Sequence, residues 1–118
     1  LIKAVAGLDG RHLKSSVENG AKAIVIEAFG RGNLPKTLVP DLVEAMKKNV
    51  VIVISSRTYT GRVLPEYGYD GGGRHLQELG AILAGDMKGE KVRLKLMALF
   101  GKYHDADIVK RFFKQSSL

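Results

Sequence analysis

The carboxamide of Asn33 is the side chain whose position in this sequence best suits binding chemistry. It follows Lys22–Phe29, an apolar run rich in β-branched residues that predicts a strand, and the turn Gly30–Gly32 separates it from that run. In open parallel α/β sheets, ligands bind outside the carboxyl ends of the strands, where loops and helix amino termini converge. Because an amide donates and accepts hydrogen bonds without titrating, we expect Asn33 to orient polar groups there.

Two other groups have side chains or backbone atoms that could bind a ligand. Ser55 and Ser56 end the next predicted strand, and Arg57 could hold a carboxylate through two parallel hydrogen bonds. Such residues more often satisfy the backbone of their own loop, and we favour that interpretation. The run Gly71–Gly73 could form a nest of N–H groups for an anion, but we favour a flexible entry into the helix at Arg74.

The sequence contains no complete catalytic set and no cofactor motif. Gly30-x-Gly32 resembles half of a dinucleotide fingerprint, but Pro35 occupies the third glycine position. The histidines are far apart and outside any metal-binding spacing: His12, His75 and His104. We interpret them as surface or helix-cap residues. No nucleophile elbow, Ser-His-Asp arrangement or Walker loop is present, so we predict neither a cofactor nor a metal.

The elements that would position these residues alternate in the first half of the chain, as in βαβ units. Apolar runs predict strands at Ile2–Val5, Lys22–Phe29 and Val50–Ile54. One helix closes at Gly20, and a second, capped by Thr37 with Pro40 in its first turn, ends at Asn49. Their apolar faces comprise Leu13, Val17 and Ala21 in the first, and Leu38, Leu42, Ala45 and Met46 in the second.

The second half begins with Ser55–Gly73, a long aperiodic segment whose tyrosines favour an ordered loop. A short helix at Arg74–Leu79 ends at Gly80, and Ala81–Ala84 predicts a fourth strand. A helix that ends at Gly101 then places one apolar stripe opposite three basic residues: Val92, Leu96, Leu99 and Phe100 against Lys91, Arg93 and Lys95. The last helix starts near Asp105 and presents Ile108 and Phe112.

Together these elements predict an α/β fold of three layers: a flavodoxin-like small parallel sheet of about four strands with helices on both faces. A length of 118 residues suits one domain, for which we expect residues 1–113. We expect the tail, Lys114–Leu118, to be frayed.

Composition narrows the classes of partner. The net charge is +7 and the pI about 9.8, but the basic residues are scattered among acidic ones and no RNA-binding aromatic motif occurs, so we predict no nucleic-acid partner. The absence of cysteine favours an intracellular setting. No apolar run reaches the roughly 20 residues that span a bilayer. Because the chain starts at Leu1 inside a predicted strand, we expect a piece of a longer protein.

Three blocks in this order resemble the carboxy-terminal domain of bacterial-type L-asparaginases: EAFGRGNLP, VISSRTYTGRVLPEYGYDGGG and GAILAGDMKGEKVRLKLMALFG. The resemblance extends to about Gly101. It implies hydrolysis of L-asparagine to L-aspartate and ammonia in a cytoplasmic homo-oligomer without a cofactor. The family's nucleophilic threonine, and its second threonine with Lys and Asp helpers, belong to an amino-terminal domain that this sequence lacks. We therefore expect this chain alone to be inactive.

The resemblance also implies roles for residues of the two loops. Asn33 matches the asparagine that the family's small domain lends to a site built mainly by the amino-terminal domain of a neighbouring subunit. Some members hold the substrate ammonium with a carboxylate from the later loop, for which Glu66 and Asp70 are alternatives here, or the carboxylate is absent. Tyr67 and Tyr69 are expected to pack the loop.

Two further expectations follow. A domain taken from a shared interface should expose apolar residues and self-associate, and the candidates for that surface are the loop residues Val63, Leu64 and Pro65 together with the tyrosines of the loop. The alternative function is a stand-alone flavodoxin-like binding or regulatory module without catalysis, because a small parallel sheet supports many functions.

Overall fold

A computed structural model describes residues 1–115 of the chain. Its centre is a parallel sheet of four strands that lie side by side in chain order. The strands are β1 (Ile2–Lys3), β2 (Ala23–Ala28), β3 (Val51–Ser56) and β4 (Ile82–Leu83). β-Branched residues form the middle of β2 and β3, and every residue of β3 is buried, as expected for a strand covered on both faces.

The described residues form five α-helices, in two layers. They are α1 (Arg11–Glu18), α2 (Val39–Lys47), α3 (Gly73–Glu78), α4 (Gly89–Lys102) and α5 (Ala106–Gln115). Successive strands are added in one direction, and α1, α2 and α3 lie on one face of the sheet, while α4 and α5 cover the other. Within residues 1–115, none of these helices has the length and apolar character needed to cross a membrane.

Alternate residues of the two central strands point into different layers of the core. Ile26 pairs with Ile54, and both pack with α1 and α2, whereas Val25 pairs with Val53, and both pack with α4 and α5. The predicted three-layer α/β architecture is thus confirmed. The strands follow chain order, whereas in flavodoxin itself the second strand lies outside the first.

The ends of α2 agree only partly with the prediction. Asn49 follows the helix with φ +63°, the left-handed conformation that closes it, and Pro40 lies in its first turn. The prediction that Thr37 caps the helix is wrong. Pro35 leads into a 3₁₀ turn at Lys36–Leu38 that contains Thr37, and no side chain caps α2.

Two predictions for the carboxy-terminal helices are also wrong. Gly101 does not end α4, which continues to Lys102, because Gly101 lacks the positive φ through which glycine closes a helix. Lys114 and Gln115 belong to α5, so this part of the tail is helical and not frayed. The remainder of the predicted tail, residues 116–118, lies outside the described residues.

The buried face of α5 is displaced by one residue from the predicted one. Val109 and Phe113 are fully buried, while Ile108 and Phe112 are half-buried. The cause lies in α4, where Lys95 packs over Phe113: its Nζ is 4.0 Å from the ring centroid and donates to the Phe113 carbonyl over 2.9 Å. Lys95 is therefore not on the solvent side opposite the apolar stripe, and desolvation by burial lowers its pKa.

Candidate functional site

The carboxyl ends of β2 and β3 lie side by side, because the strands are parallel and Ala28 pairs with Ser56. The loop after β2, residues 29–35, and the loop after β3, residues 57–72, therefore leave the sheet at the same edge, which we call the loop edge. The Ser56 hydroxyl donates to the Gly30 carbonyl and joins the two loops. The glycine turn and the segment that starts at Ser55 are thus neighbours, as the sequence predicts.

Asn33 is held at the loop edge by its backbone and by its side chain. Two backbone hydrogen bonds of 2.9 Å pair it with Phe29 and close the glycine turn. Its Oδ1 accepts a hydrogen bond from the Gly73 N–H over 3.2 Å. The side chain is half-buried, and no residue within 1–115 accepts a hydrogen bond from its Nδ2. The carboxamide is therefore oriented through its oxygen, while its nitrogen keeps its donor capacity.

The loop after β3, which we call the long loop, ends in the glycine run Gly71–Gly73. This run does not form an anion-binding nest. Each of its three N–H groups donates within the chain: Gly71 to His75 Nδ1 over 3.1 Å, Gly72 to the Tyr69 carbonyl over 2.8 Å, and Gly73 to Asn33 Oδ1. Because these donors have partners, none is available to an anion at this turn.

The same run is also not a flexible entry to α3, and that prediction is wrong. All three glycines are buried. A Cβ atom at Gly71 would lie 2.2 Å from the Leu34 carbonyl oxygen, and one at Gly72 would lie 2.3 Å from the Tyr67 carbonyl oxygen. Glycine occurs here because backbone segments approach more closely than a side chain allows, which makes the turn a packed element.

The two candidate carboxylates have different surroundings. Glu66 forms an ion pair with Arg31, the residue between the two glycines of the loop that carries Asn33. A backbone hydrogen bond of 3.0 Å from the Leu64 N–H to the Arg31 carbonyl supports this contact. Asp70 is exposed and forms no ion pair within residues 1–115. The structure thus joins Glu66, and not Asp70, to the loop after β2 that carries Asn33.

The polar residues at the end of β3 bond within the chain, but mainly to segments outside their own loop. The favoured interpretation therefore holds only in part, at Ser56, whose hydroxyl accepts the Thr58 N–H over 3.1 Å. The Ser55 hydroxyl donates to the Met87 carbonyl over 2.9 Å. Arg57 donates to the Ala4 carbonyl over 3.2 Å, and its guanidinium lies 4.5 Å from the ring centroid of Phe29. These groups therefore fix the loop edge to the sheet, and their hydrogen-bonding capacity serves the fold.

The long loop is packed internally and displays aromatic rings. The ring centroids of Tyr67 and Tyr69 lie 5.6 Å apart, in agreement with the packing role predicted for them. Tyr59 is 96% exposed. Val63 is 2% exposed and belongs to the core, so the prediction that it contributes to an exposed apolar surface is wrong. It is buried because the loop folds back onto the sheet.

The sequence did not reveal two residues that shape this edge. Arg31 reaches Glu66 across 35 positions of the chain, and no local pattern predicts such a contact. His75 accepts the Gly71 N–H, and the spacing of four residues at the start of a helix is the only sequence signal for it. The predicted helix-cap role is not confirmed, because no side chain caps α3 and His75 bonds to Gly71, which lies before the helix.

The loop edge therefore offers an amide donor, a carboxylate and a guanidinium, which can bind and orient a polar ligand. Among the described residues, no serine, threonine or tyrosine hydroxyl is hydrogen-bonded to a side chain that could act as its base. No group of three or more His, Cys, Asp or Glu residues in that part of the chain could hold a metal ion. This arrangement supports ligand binding.

Comparisons with known proteins place this geometry in context. The family model for the glutaminase/asparaginase C-terminal domain matches residues 1–113. A probable L-asparaginase of Deinococcus radiodurans is 40% identical over 115 residues, which cover 98% of this chain and 34% of the relative. A glutamyl-tRNA(Gln) amidotransferase subunit of Methanococcus vannielii is 38% identical over 114 residues, which cover 97% of this chain and 26% of the relative.

The fold has a similar counterpart among solved structures. A probable cytoplasmic L-asparaginase from Campylobacter jejuni superposes with a TM-score of 0.75 and 28% sequence identity. The match covers 95% of this chain and 35% of that chain. This chain therefore spans about a third of the length of the asparaginases that it resembles.

Proposed function

Because the chain belongs to the glutaminase/asparaginase C-terminal domain family, we propose that it is the carboxy-terminal domain of an L-asparaginase. The complete enzyme hydrolyses L-asparagine to L-aspartate and ammonia. This domain supplies polar groups from its loop edge and surfaces for assembly, but not the nucleophile. The observation that carries the proposal is the half-buried Asn33 carboxamide, which is fixed through Oδ1 with its Nδ2 available.

The proposed reaction is acyl transfer to a threonine of the amino-terminal domain. The threonine hydroxyl oxygen attacks the side-chain carboxamide carbon of asparagine, the hydroxyl proton is transferred to the amide nitrogen, and the C–N bond breaks to release ammonia. Water then attacks the acyl-enzyme, releases aspartate and restores the hydroxyl. Asn33 takes no covalent part: its Nδ2 donates to an oxygen of the substrate or of the threonine and so orients the reacting groups.

For the substrate ammonium we propose Glu66 as the partner. Its ion pair with Arg31 places the carboxylate beside the loop of Asn33, which supports this choice over Asp70, for which residues 1–115 provide no ion pair. A carboxylate has several lone-pair sites, so Glu66 can bind an ammonium while it keeps its contact with Arg31. The guanidinium thereby limits the positions that the carboxylate can occupy.

Assembly and location are part of the proposal. We propose that the partners of this domain are the amino-terminal asparaginase domain and a neighbouring subunit of a homo-oligomer. We also propose a cytoplasmic location, which is supported by the description of the Campylobacter jejuni protein as a probable cytoplasmic L-asparaginase.

The similarity to an amidotransferase favours one second candidate. The Methanococcus vannielii relative is nearly as similar as the Deinococcus radiodurans one, with 38% against 40% identity. In this alternative the loop edge serves an enzyme that releases ammonia from an amide for glutamyl-tRNA(Gln). The two candidates share amide hydrolysis and differ in whether free asparagine is the physiological substrate.

The test measures ammonia release from free L-asparagine and free L-glutamine by the complete protein and by the 118-residue chain. We expect the complete protein to hydrolyse asparagine without tRNA and the chain alone to show no turnover. Turnover by the chain alone would contradict the assignment of the nucleophile to another region. Amide hydrolysis that requires glutamyl-tRNA would instead support the amidotransferase candidate.

A further inference from the structure

His75 lies in the first turn of α3 and is half-buried. Its Nδ1 accepts a hydrogen bond of 3.1 Å from the Gly71 N–H. A ring nitrogen that accepts a hydrogen bond carries no hydrogen, so the geometry assigns the neutral ring its proton on Nε2. Gly71 has φ +89°, and the His75 ring thus closes a tight turn between the long loop and α3.

This turn is also the part of the long loop that contacts Asn33 and its neighbour. The Gly71 carbonyl accepts the Leu34 N–H over 2.8 Å, and the Gly73 N–H donates to Asn33 Oδ1 over 3.2 Å. Gly71 therefore connects the His75 ring to the backbone that follows Asn33, while Gly73 connects the same turn to the carboxamide. A shift of the turn displaces both contacts together.

Resting on the proposed role of Asn33 in amide hydrolysis, we propose that His75 is a positioning residue for the Asn33 carboxamide. Gly71 is buried, so loss of the ring acceptor leaves its N–H without a partner and favours a shift of the turn. The orientation of Nδ2 then changes, although the His75 ring bonds to Gly71 and not to the carboxamide itself. Small displacements of orienting groups are sufficient to slow a reaction strongly.

The test compares His75→Leu with His75→Asn in the complete enzyme. The Asn side-chain oxygen is attached to Cγ, as Nδ1 is, and can accept the Gly71 N–H, whereas Leu fills similar space without an acceptor. We expect His75→Leu to lower kcat for asparagine about tenfold and His75→Asn to keep about half of it. The same change at an exposed histidine of α1, His12→Leu, is the control and should leave kcat unchanged.

A double-variant cycle distinguishes positioning from general destabilisation. In an Asn33→Ala background, His75→Leu should reduce kcat by less than about twofold, because the group through which it acts is gone. Hydrogen exchange of the Leu34 amide gives a readout without catalysis, and we expect faster exchange in His75→Leu but not in His75→Asn.

The outcomes separate this proposal from the proposed function. If Asn33→Ala slows the enzyme but His75→Leu does not, or if the two losses multiply, the role of His75 is wrong and that of Asn33 stands. If Asn33→Ala has no effect, the role of Asn33 is wrong, and the positioning role falls with it. If asparagine is not hydrolysed at all, unchanged Leu34 exchange in His75→Leu still overturns the positioning role.

Discussion

The two polar atoms of the Asn33 carboxamide have different surroundings, and we propose a chemical role only for Nδ2. Oδ1 accepts the Gly73 N–H and ties the glycine loop to the long loop, while Nδ2 has no acceptor among the described residues. The division explains why an amide suits this position, since it offers an acceptor and a donor in one fixed plane.

At the residue scale, neutralising each carboxylate in turn distinguishes Glu66 from Asp70 as the partner of the substrate ammonium. In the complete protein, we expect Glu66→Gln to raise KM for asparagine roughly tenfold to a hundredfold, because a charge-assisted hydrogen bond contributes about 1.5–3 kcal/mol. Asp70→Asn is the matched control and should change KM by less than about twofold. Steady-state kinetics measure the difference, and a larger effect of Asp70→Asn would show that the wrong carboxylate was chosen.

The sequence alone could not make that choice. The two carboxylates lie four positions apart in an aperiodic loop, and only the contact of Glu66 with Arg31 distinguishes them. Asn33 itself could be predicted, because an apolar run followed by a glycine turn locates a strand end from local sequence. The hydrogen bond from Gly73 could not, since it joins residues 40 positions apart.

At the scale of elements, local chemistry predicted which segments form helices and strands. The β-branched runs form the central strands, and the left-handed Asn49 closes α2 as expected. The errors arose where contact with a neighbouring element determines which residues are buried or how closely two backbone segments approach. The packing of α4 against α5 selects Val109 and Phe113 as the buried residues, and the backbone approach at Gly71 makes the glycine run rigid.

The rigidity of that run can be tested with a pair of glycine variants. Gly71 and Gly61 both have positive φ, but a Cβ at Gly71 meets the Leu34 carbonyl oxygen at 2.2 Å, whereas nothing lies within 4 Å of one at Gly61. We expect Gly61→Ala to lower the free energy of unfolding by about 1 kcal/mol through backbone strain, and Gly71→Ala by about 3 kcal/mol. Urea unfolding of the complete protein measures both values. Equal losses of unfolding free energy in the two variants would contradict this expectation, because they would show that the turn accommodates a Cβ at Gly71 without additional strain.

At the scale of the whole molecule, exposed apolar side chains occur on α4 and at Leu1, in addition to the exposed rings of the long loop. Leu94 and Met97 are 61% and 55% exposed, and Leu1 is 51% exposed. Met97, Leu1 and Phe100 line a groove of about 260 Å³ beside β2. Exposed apolar surface of this kind favours association with another surface.

Self-association of the 118-residue chain should therefore depend on this helix. We expect the sedimentation coefficient of the chain to rise with concentration, and Met97→Lys to suppress the rise by placing a charge in the groove. Tyr59→Lys, at the most exposed aromatic residue of the long loop, is the control and should leave association unchanged. A chain that stays monomeric at high concentration would contradict this prediction.

The central claim is that the Asn33 Nδ2 donor serves amide hydrolysis, and asparagine turnover by complete-protein variants tests it most directly. Asn33→Asp retains an oxygen for the Gly73 N–H but removes the donor, whereas Asn19→Ala removes an exposed amide at the end of α1 that has no proposed role. We expect Asn33→Asp to lower kcat/KM at least about tenfold with little change in unfolding free energy, and Asn19→Ala to retain wild-type kinetics. Wild-type kcat/KM in Asn33→Asp would contradict the account.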